Sequence, residues 1–245
     1  MIIDKIKQLI GKNKLFRIAL IILITALLGL YFLAFFTTGA NYEDTFLKKE
    51  VVSSETHYVG KSLWGTIHIT VKSLDDTRNS FNVTYRLPND IHKVFTVDFT
   101  GNGNLGQGIR IKDESDNLLF EGEYRKGDLF LFDNNGQPFM EGIGEISVNG
   151  QSPYNSYYSI PLKNVVSFAA FENDTIRGDV RFLLLAVFLI ILTAIDMRFP
   201  LFFFKLKYMF AVNDPEPSDF FLAMQRISWY AYSVIAFILL ICAVF

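Results

Sequence analysis

Cysteine is almost absent from this chain. Cys242 stands alone among 245 residues, so neither an intramolecular disulfide nor a cysteine-based metal site can form. Catalytic signatures are missing as well. There is no Gly-x-Ser-x-Gly, and His57, His68 and His92 are too far apart in sequence to suggest a metal site from spacing. Gly101, Gly103 and Gly106 have the spacing of a dinucleotide fingerprint, but Gly108-Ile-Arg-Ile-Lys follows them. That is a strand where the fingerprint needs a helix, so the glycines read as a loop. Asp113, Glu114, Asp116 and Asn117 lack the later Gly and bidentate Glu of an EF-hand and read as a solvated turn. The sequence thus predicts no catalytic residue, no metal and no cofactor.

Basic residues are missing in two telling places. None lies between Arg17 and Lys48, and none follows Arg226. Apolar residues fill those gaps. Residues 18–36 carry no charge, and residues 182–195 and 227–245 form two further apolar stretches. A bilayer core of about 30 Å takes roughly 20 helical residues, so three transmembrane helices are expected. Their spans are 18–37, 180–197 and 226–245. The second needs Arg181 and Asp196 at its two interfaces. Positive residues stay cytoplasmic. Lys5, Lys7, Lys12, Lys14 and Arg17 put residues 1–17 inside, and Arg198, Lys205, Lys207 and Arg226 do the same for residues 198–225. Residues 38–179 and the C-terminus are then extracytoplasmic. Thr38-Gly39-Ala40 offers a small-x-small cleavage site, but residues 18–36 exceed the usual signal-peptide core, so a retained anchor is expected. An outer domain without cysteine suits the cytoplasmic membrane of a bacterium.

Within residues 41–179, thirteen Lys/Arg face twenty Asp/Glu, a formal charge of −7 against −2 for the whole chain. Such a surface excludes nucleic acid as a partner. Period-two alternation dominates the segment. Thr66, His68 and Thr70 share one face and Ile67, Ile69 and Val71 the other, while Phe81, Val83 and Tyr85 repeat the pattern. Further strands are expected at 94–99, 108–111, 118–124, 128–132 and 142–148. Turn residues separate them, with Asn135-Gly136 a hairpin signal in which both residues tolerate positive φ. This predicts a mainly-β domain, an antiparallel sandwich or barrel. Residues 159–178 change to helical spacing, with Ser159 as N-cap and an amphipathic helix leading into the second span. A last strand over 165–171 is the alternative.

Tyr154, Tyr157 and Tyr158, with Trp64, make an aromatic platform for glycan or peptide the one binding-site candidate of the outer domain. Arg177-Gly178-Asp179 matches an integrin-binding tripeptide but abuts the expected membrane, and is discounted. In the cytoplasmic turn, Pro200 is expected to start a short interfacial helix. Ser218 should cap the last helix, and Asp219 should sit at its positive dipole end. Lys205, Lys207, Glu216, Ser218, Asp219 and Arg226 are the candidate inner contact.

Pro200, Phe204-Lys205, Glu216-Pro217-Ser218-Asp219 and Arg226 fall in an order that resembles a family of short bacterial two-span membrane proteins of unknown function. The resemblance covers about fifty residues from Asp196 onward and departs from the family at Ser228-Trp229, where a Gly-Gly pair is common. It implies a hairpin membrane module and no activity.

The expected function is therefore non-enzymatic. The chain would anchor in the lipid bilayer and present an acidic β-domain outside. There it would serve as accessory, scaffold or sensor subunit for another membrane or envelope protein or ligand. An envelope hydrolase is the alternative; it needs a cleft near Asp98, Asp113, Asp116, Glu121, Glu123 or His92. A carrier ranks last, since no charge lies deep in the spans.

Overall fold

The structure, a computed structural model, describes residues 14–75, 79–102, 106–140, 152–155, 157–208 and 216–244. The chain divides into two compact units, Thr38–Ile176 and Met1–Thr37 with Arg177–Phe245. Among the described residues the second unit begins with helix α1 (Lys14–Phe35), a run rich in Leu, Ile and Ala whose side chains are mostly exposed.

Thr38–Ile176 is built on one antiparallel sheet. Its first five strands are β1 (Thr38–Tyr42), β2 (Thr45–Val52), β3 (Glu55–Ser62), β4 (Gly65–Ser73) and β5 (Ser80–Leu87). Then come β6 (Ile91–Asn102), β7 (Gln107–Asp113), β8 (Leu118–Tyr124), β9 (Leu131–Phe132) and β10 (Pro138–Phe139). Each strand pairs with its sequence neighbour. After helix α2 (Leu162–Ala169) the chain returns as β11 (Asp174–Ile176) beside β1. The sequence left sandwich and barrel open. Among the described residues the eleven strands form a single sheet with β10 and β11 at its edges.

Alternation sets which face is wet. Ile67, Ile69 and Val71 of β4 are buried, and Thr66, His68 and Thr70 between them are not. β5, β6 and β7 repeat this with Val83 and Tyr85, Val97, and Ile109 and Ile111. The inward face is covered by α2, whose Val165, Val166, Phe168 and Ala169 are fully buried. Phe168 meets the rings of Tyr58, Tyr42 and Tyr85 at 5.1, 6.1 and 6.2 Å, reaching β3, β1 and β5 at once. Burying a side chain of this size contributes about 1.5–3 kcal/mol. Gly39 lets β2 come close, since a Cβ there would lie 2.1 Å from the Leu47 carbonyl oxygen.

Several sequence expectations change. The strand expected at 128–132 shrinks to Leu131–Phe132, because Gly127 takes φ +89° in the turn before it. The helix expected from Ser159 starts at Leu162 and ends at Ala169, with Pro161 rather than Ser159 at its N-cap and no side-chain cap. Phe171, at φ 53°, then turns the chain into β11. The alternative strand over 165–171 is not formed. At Asn135-Gly136 the hairpin is present, but only Gly136 has positive φ. Asp133 holds that turn through the N–H groups of Asn135 and Gln137, at 2.9 and 2.8 Å. β1, β2, β3, β10 and β11 have no counterpart among the expected strands. The strand expected at 142–148 lies outside the described residues.

The helical unit resumes with α3 (Val180–Arg198), α4 (Phe202–Tyr208) and α5 (Asp219–Cys242). α1, α3 and α5 are each long and apolar enough to cross a membrane. α3 matches the expected second span, while α5 starts well before residue 226. Pro200 sits in a turn two residues ahead of α4. Ser218 caps α5, accepting a hydrogen bond from the Phe221 N–H at 3.2 Å, and Asp219 occupies its first turn.

Tyr85 is fully buried, and its hydroxyl has no partner among the described residues. An unpaired buried hydroxyl costs about 1–3 kcal/mol. Tyr85→Phe is therefore expected to leave stability unchanged or raise it by about 1 kcal/mol, read as the thermal midpoint of the full chain in detergent. A loss would assign the hydroxyl a stabilising partner.

Candidate functional site

Strand order defines two rims of the β-unit. One carries the β1–β2, β3–β4 and β5–β6 turns. The opposite rim carries the β2–β3, β4–β5 and β8–β9 turns and the points where the chain enters at Thr38 and leaves at Ile176.

The expected aromatic platform lies toward the first rim and does not assemble as one surface. Tyr154 is only 2% exposed, Tyr157 is 80% exposed, and Trp64 at the β3–β4 turn is 41% exposed. Tyr154 and Tyr158 face each other at 5.1 Å and both donate to the Glu43 carboxylate, Tyr154 at 3.0 Å. Tyr158 also meets the Tyr42 hydroxyl at 2.8 Å, and Asn89 donates to the Tyr154 carbonyl at 2.5 Å. Burial pushes the pKa of Tyr42, Tyr154 and Tyr158 up, so the phenols stay protonated and donating. Tyr154 and Tyr158 thus fasten the segment before α2 to the β1–β2 turn. Only Trp64 and Tyr157 remain available to a ligand.

Glu172 makes the corresponding fastening at the entry rim. It accepts from Tyr124 and Lys163 at 2.7 Å each, from Ser167 at 2.9 Å and from the Gly127 N–H at 2.5 Å. Burial alone would raise its pKa. The donors from Lys163, Tyr124, Gly127 and Ser167 outweigh that and hold it at about 2.

Between the β2–β3 turn, the β4–β5 turn and Phe171 opens a cleft of about 650 Å³. Its polar lining is Lys49, Ser53, Ser54, Thr56, Ser73 and Asp75. Val51, Val71, Leu74, Phe81 and Phe171 supply the apolar walls. Lys49 pairs with Asp174, which also accepts from Tyr58 at 2.7 Å, and its ammonium lies 4.9 Å from the Phe171 ring centroid. Sequence reasoning missed this cleft because its residues come from three separate turns.

None of the carboxylates proposed for a hydrolase lines it. Asp98 accepts from Ser80 at 2.5 Å, Glu121 pairs with Arg110 at 2.8 Å, Glu123 with Arg125 at 3.4 Å, and Asp116 with Lys112 at 2.8 Å. Asp113 closes its turn by accepting from the N–H groups of Ser115 and Asn117 at 2.9 Å each. His57 and His68, eleven residues apart, meet across β3 and β4 at 3.1 Å between Nδ1 and Nε2. Burial, then His57 and Arg86, push the His68 pKa down. No group of three or more His, Cys, Asp or Glu suited to a metal occurs among the described residues.

In the helical unit, α3 and α5 pack as an antiparallel pair along small residues, with Ala186, Thr193 and Ala236 buried. One end of the pair is clamped by polar groups. Asp196 accepts from Trp229 Nε1 at 2.6 Å and from Gln225 Nε2 at 2.8 Å, and Gln225 also donates to the Pro200 carbonyl. Trp229, where the resembling family often has glycine, therefore has a specific partner. Lys205, Lys207, Glu216, Ser218, Asp219 and Arg226 lie exposed around this end, and the clamp is made by other residues. At the opposite end, Gly178 packs its bare Cα against Phe35, whose ring a Cβ would meet at 2.3 Å, and donates to the Phe35 carbonyl at 2.9 Å. Asp179 caps α3 through the Arg181 N–H at 2.8 Å, and hydrogen bonds from Arg181 hold its pKa at about 2. The Arg-Gly-Asp tripeptide thus has a structural account.

A family of unknown function (DUF6199) matches residues 185–243, which takes in α3, α4 and α5 from Leu185 onward. No curated protein and no solved structure matches the chain.

Asp196→Ala is expected to cost about 1 kcal/mol, by removing the acceptor of the part-buried Trp229 indole N–H and one of the two acceptors of Gln225. Thermal unfolding in detergent, followed by tryptophan emission, measures it; an unchanged midpoint would refute the clamp. Glu172 gives a pH dependence of defined sign. Its folded pKa, about 2, lies below its ordinary value of 4.5. Its contribution is therefore fully present above 4.5 and is lost as pH falls toward 2. Glu172→Gln should lower stability at neutral pH and flatten the decline across that window, as followed by circular dichroism.

Proposed function

We propose that the chain is a three-span protein of the bacterial cytoplasmic membrane whose outer β-unit acts by binding. α1, α3 and α5 are the spans. The basic residues before α1 and between α3 and α5 set the N-terminus and the α3–α5 turn in the cytoplasm, leaving Thr38–Ile176 outside. The observation that carries this reading is the way the β-unit is inserted. A compact sheet-and-helix unit stands between two apolar helices in the chain, joined to them by residues 36–37 and 177–179. A domain held so closely at both ends works at the membrane surface.

Its role is that of an accessory, scaffold or sensor subunit for an envelope protein or ligand. The carboxylates available for hydrolysis are engaged in turns and cross-strand pairs. The exposed residues of the α3–α5 turn form its inner contact.

Deletion of residues 41–179 tests the reading. The full chain, solubilised in detergent, should co-purify with an envelope partner, and the deleted chain should insert in the membrane but lose that partner. Absence of a partner with both chains would contradict the proposal.

A further inference from the structure

The wet face of the sheet carries one side-chain cluster that neither fastening uses. His57 on β3 and His68 on β4 lie there beside Thr70, which is paired with His57 across the two strands. The two rings are tilted by 43° with centroids 5.3 Å apart, yet His57 Nδ1 and His68 Nε2 are only 3.1 Å apart. The side chains therefore present nitrogens to each other rather than ring faces. The Thr70 hydroxyl oxygen lies 3.2 Å from the His57 nitrogen and 3.3 Å from the His68 nitrogen. Two nitrogens and one oxygen thus mark a nearly equilateral triangle. Ligands held at about 2.0–2.1 Å by a tetrahedral zinc ion stand about 3.3 Å from one another, close to each side of this triangle. A hydrogen bond between the rings accounts for one side, but it does not call for a hydroxyl equally near both nitrogens.

The geometry points to a binding site for a divalent late transition-metal ion such as Zn²⁺, with His57 and His68 as ligands, Thr70 beside them and water in the remaining positions. The site belongs to the β-unit alone, whichever side of a membrane that unit occupies. Imidazole nitrogen suits zinc, nickel and copper, whereas calcium and magnesium take oxygen ligands. The other nitrogen of His57, Nε2, is 3.6 Å from the Glu55 carboxylate. A carboxylate there favours the proton on Nε2 and leaves Nδ1 bare for a metal. Burial, His57 and Arg86 all push the His68 pKa down, which keeps that ring in the neutral form that binds metal. The surrounding charges nearly balance. Glu50, opposite His57 on β2, pairs with Lys48, and Glu55 pairs with Lys72, both at 2.9 Å. Arg86, opposite His68 on β5, adds one positive charge and separates His68 from His92 on β6. Affinity therefore comes from the nitrogen–metal bonds and not from the local field. Two imidazoles on a wet face make an open, exchangeable site rather than a closed structural one.

Isothermal titration of Zn²⁺ into the full, untagged chain, stripped of metal in detergent at neutral pH, tests the assignment. The unaltered chain should take up one ion. His57→Asn and His68→Asn should each weaken uptake at least about tenfold, and His92→Asn should leave it unchanged. Loss of fold would imitate loss of ligands, so a gain of binding is measured as well. Thr70→His puts a third imidazole at the hydroxyl's corner of the triangle and should tighten binding at least about tenfold. Mg²⁺ in place of Zn²⁺ should give no saturable heat. No uptake of Zn²⁺ by the unaltered chain, undiminished uptake by both the His57 and His68 variants, no gain with Thr70→His, or an equal response to Mg²⁺ would each overturn the assignment.

Discussion

A sheet that buries only one face must find cover for it, and here the cover is a helix of eight residues. Strands β1 to β9 all turn apolar side chains to the same side. α2 is the helix among the described residues that packs there. Phe168 lies at the centre, against three tyrosines from alternate strands. The two fastenings on either side of α2 follow from this demand. Glu43 holds the incoming segment through Tyr154 and Tyr158, and Glu172 holds the outgoing turn through Tyr124, Lys163 and Gly127. Both use the two oxygens of one carboxyl group to gather several donors.

Where alternation was clean, the sequence was sufficient. The β4 pattern of Thr66, His68 and Thr70 against Ile67, Ile69 and Val71 reappears as wet and buried faces, and β8 has the bounds expected of it. β2 was illegible because Lys48, Lys49 and Glu50 interrupt its apolar residues; pairing with β1 and β3 makes it a strand. β11 has three residues and forms only because β1 offers an edge. Side-chain clusters were harder still. Tyr154 looked like a ligand platform and is a buried fastening. His57 and His68 looked isolated, and the β3–β4 register brings them together. Such contacts depend on register, which no local spacing reveals.

The C-terminal pair of helices shows the same division between pattern and contact. Its apolar stretches, the Ser218 cap and the Asp219 position could all be read locally. The clamp of Asp196, Gln225 and Trp229 could not, since it joins residues about thirty positions apart across two helices. It lies within the part matched by the family of unknown function, whereas the β-unit lies outside that match. The two units therefore pose separate functional questions.

The proposed function turns on the side of the membrane to which Thr38–Ile176 would be delivered. The most direct measurement is labelling of Leu63→Cys, in a Cys242→Ala background, with a membrane-impermeant maleimide on intact cells. The exposed tip of the β3–β4 turn should react without permeabilisation. Reaction only after the membrane is opened would place the β-unit in the cytoplasm and contradict the account.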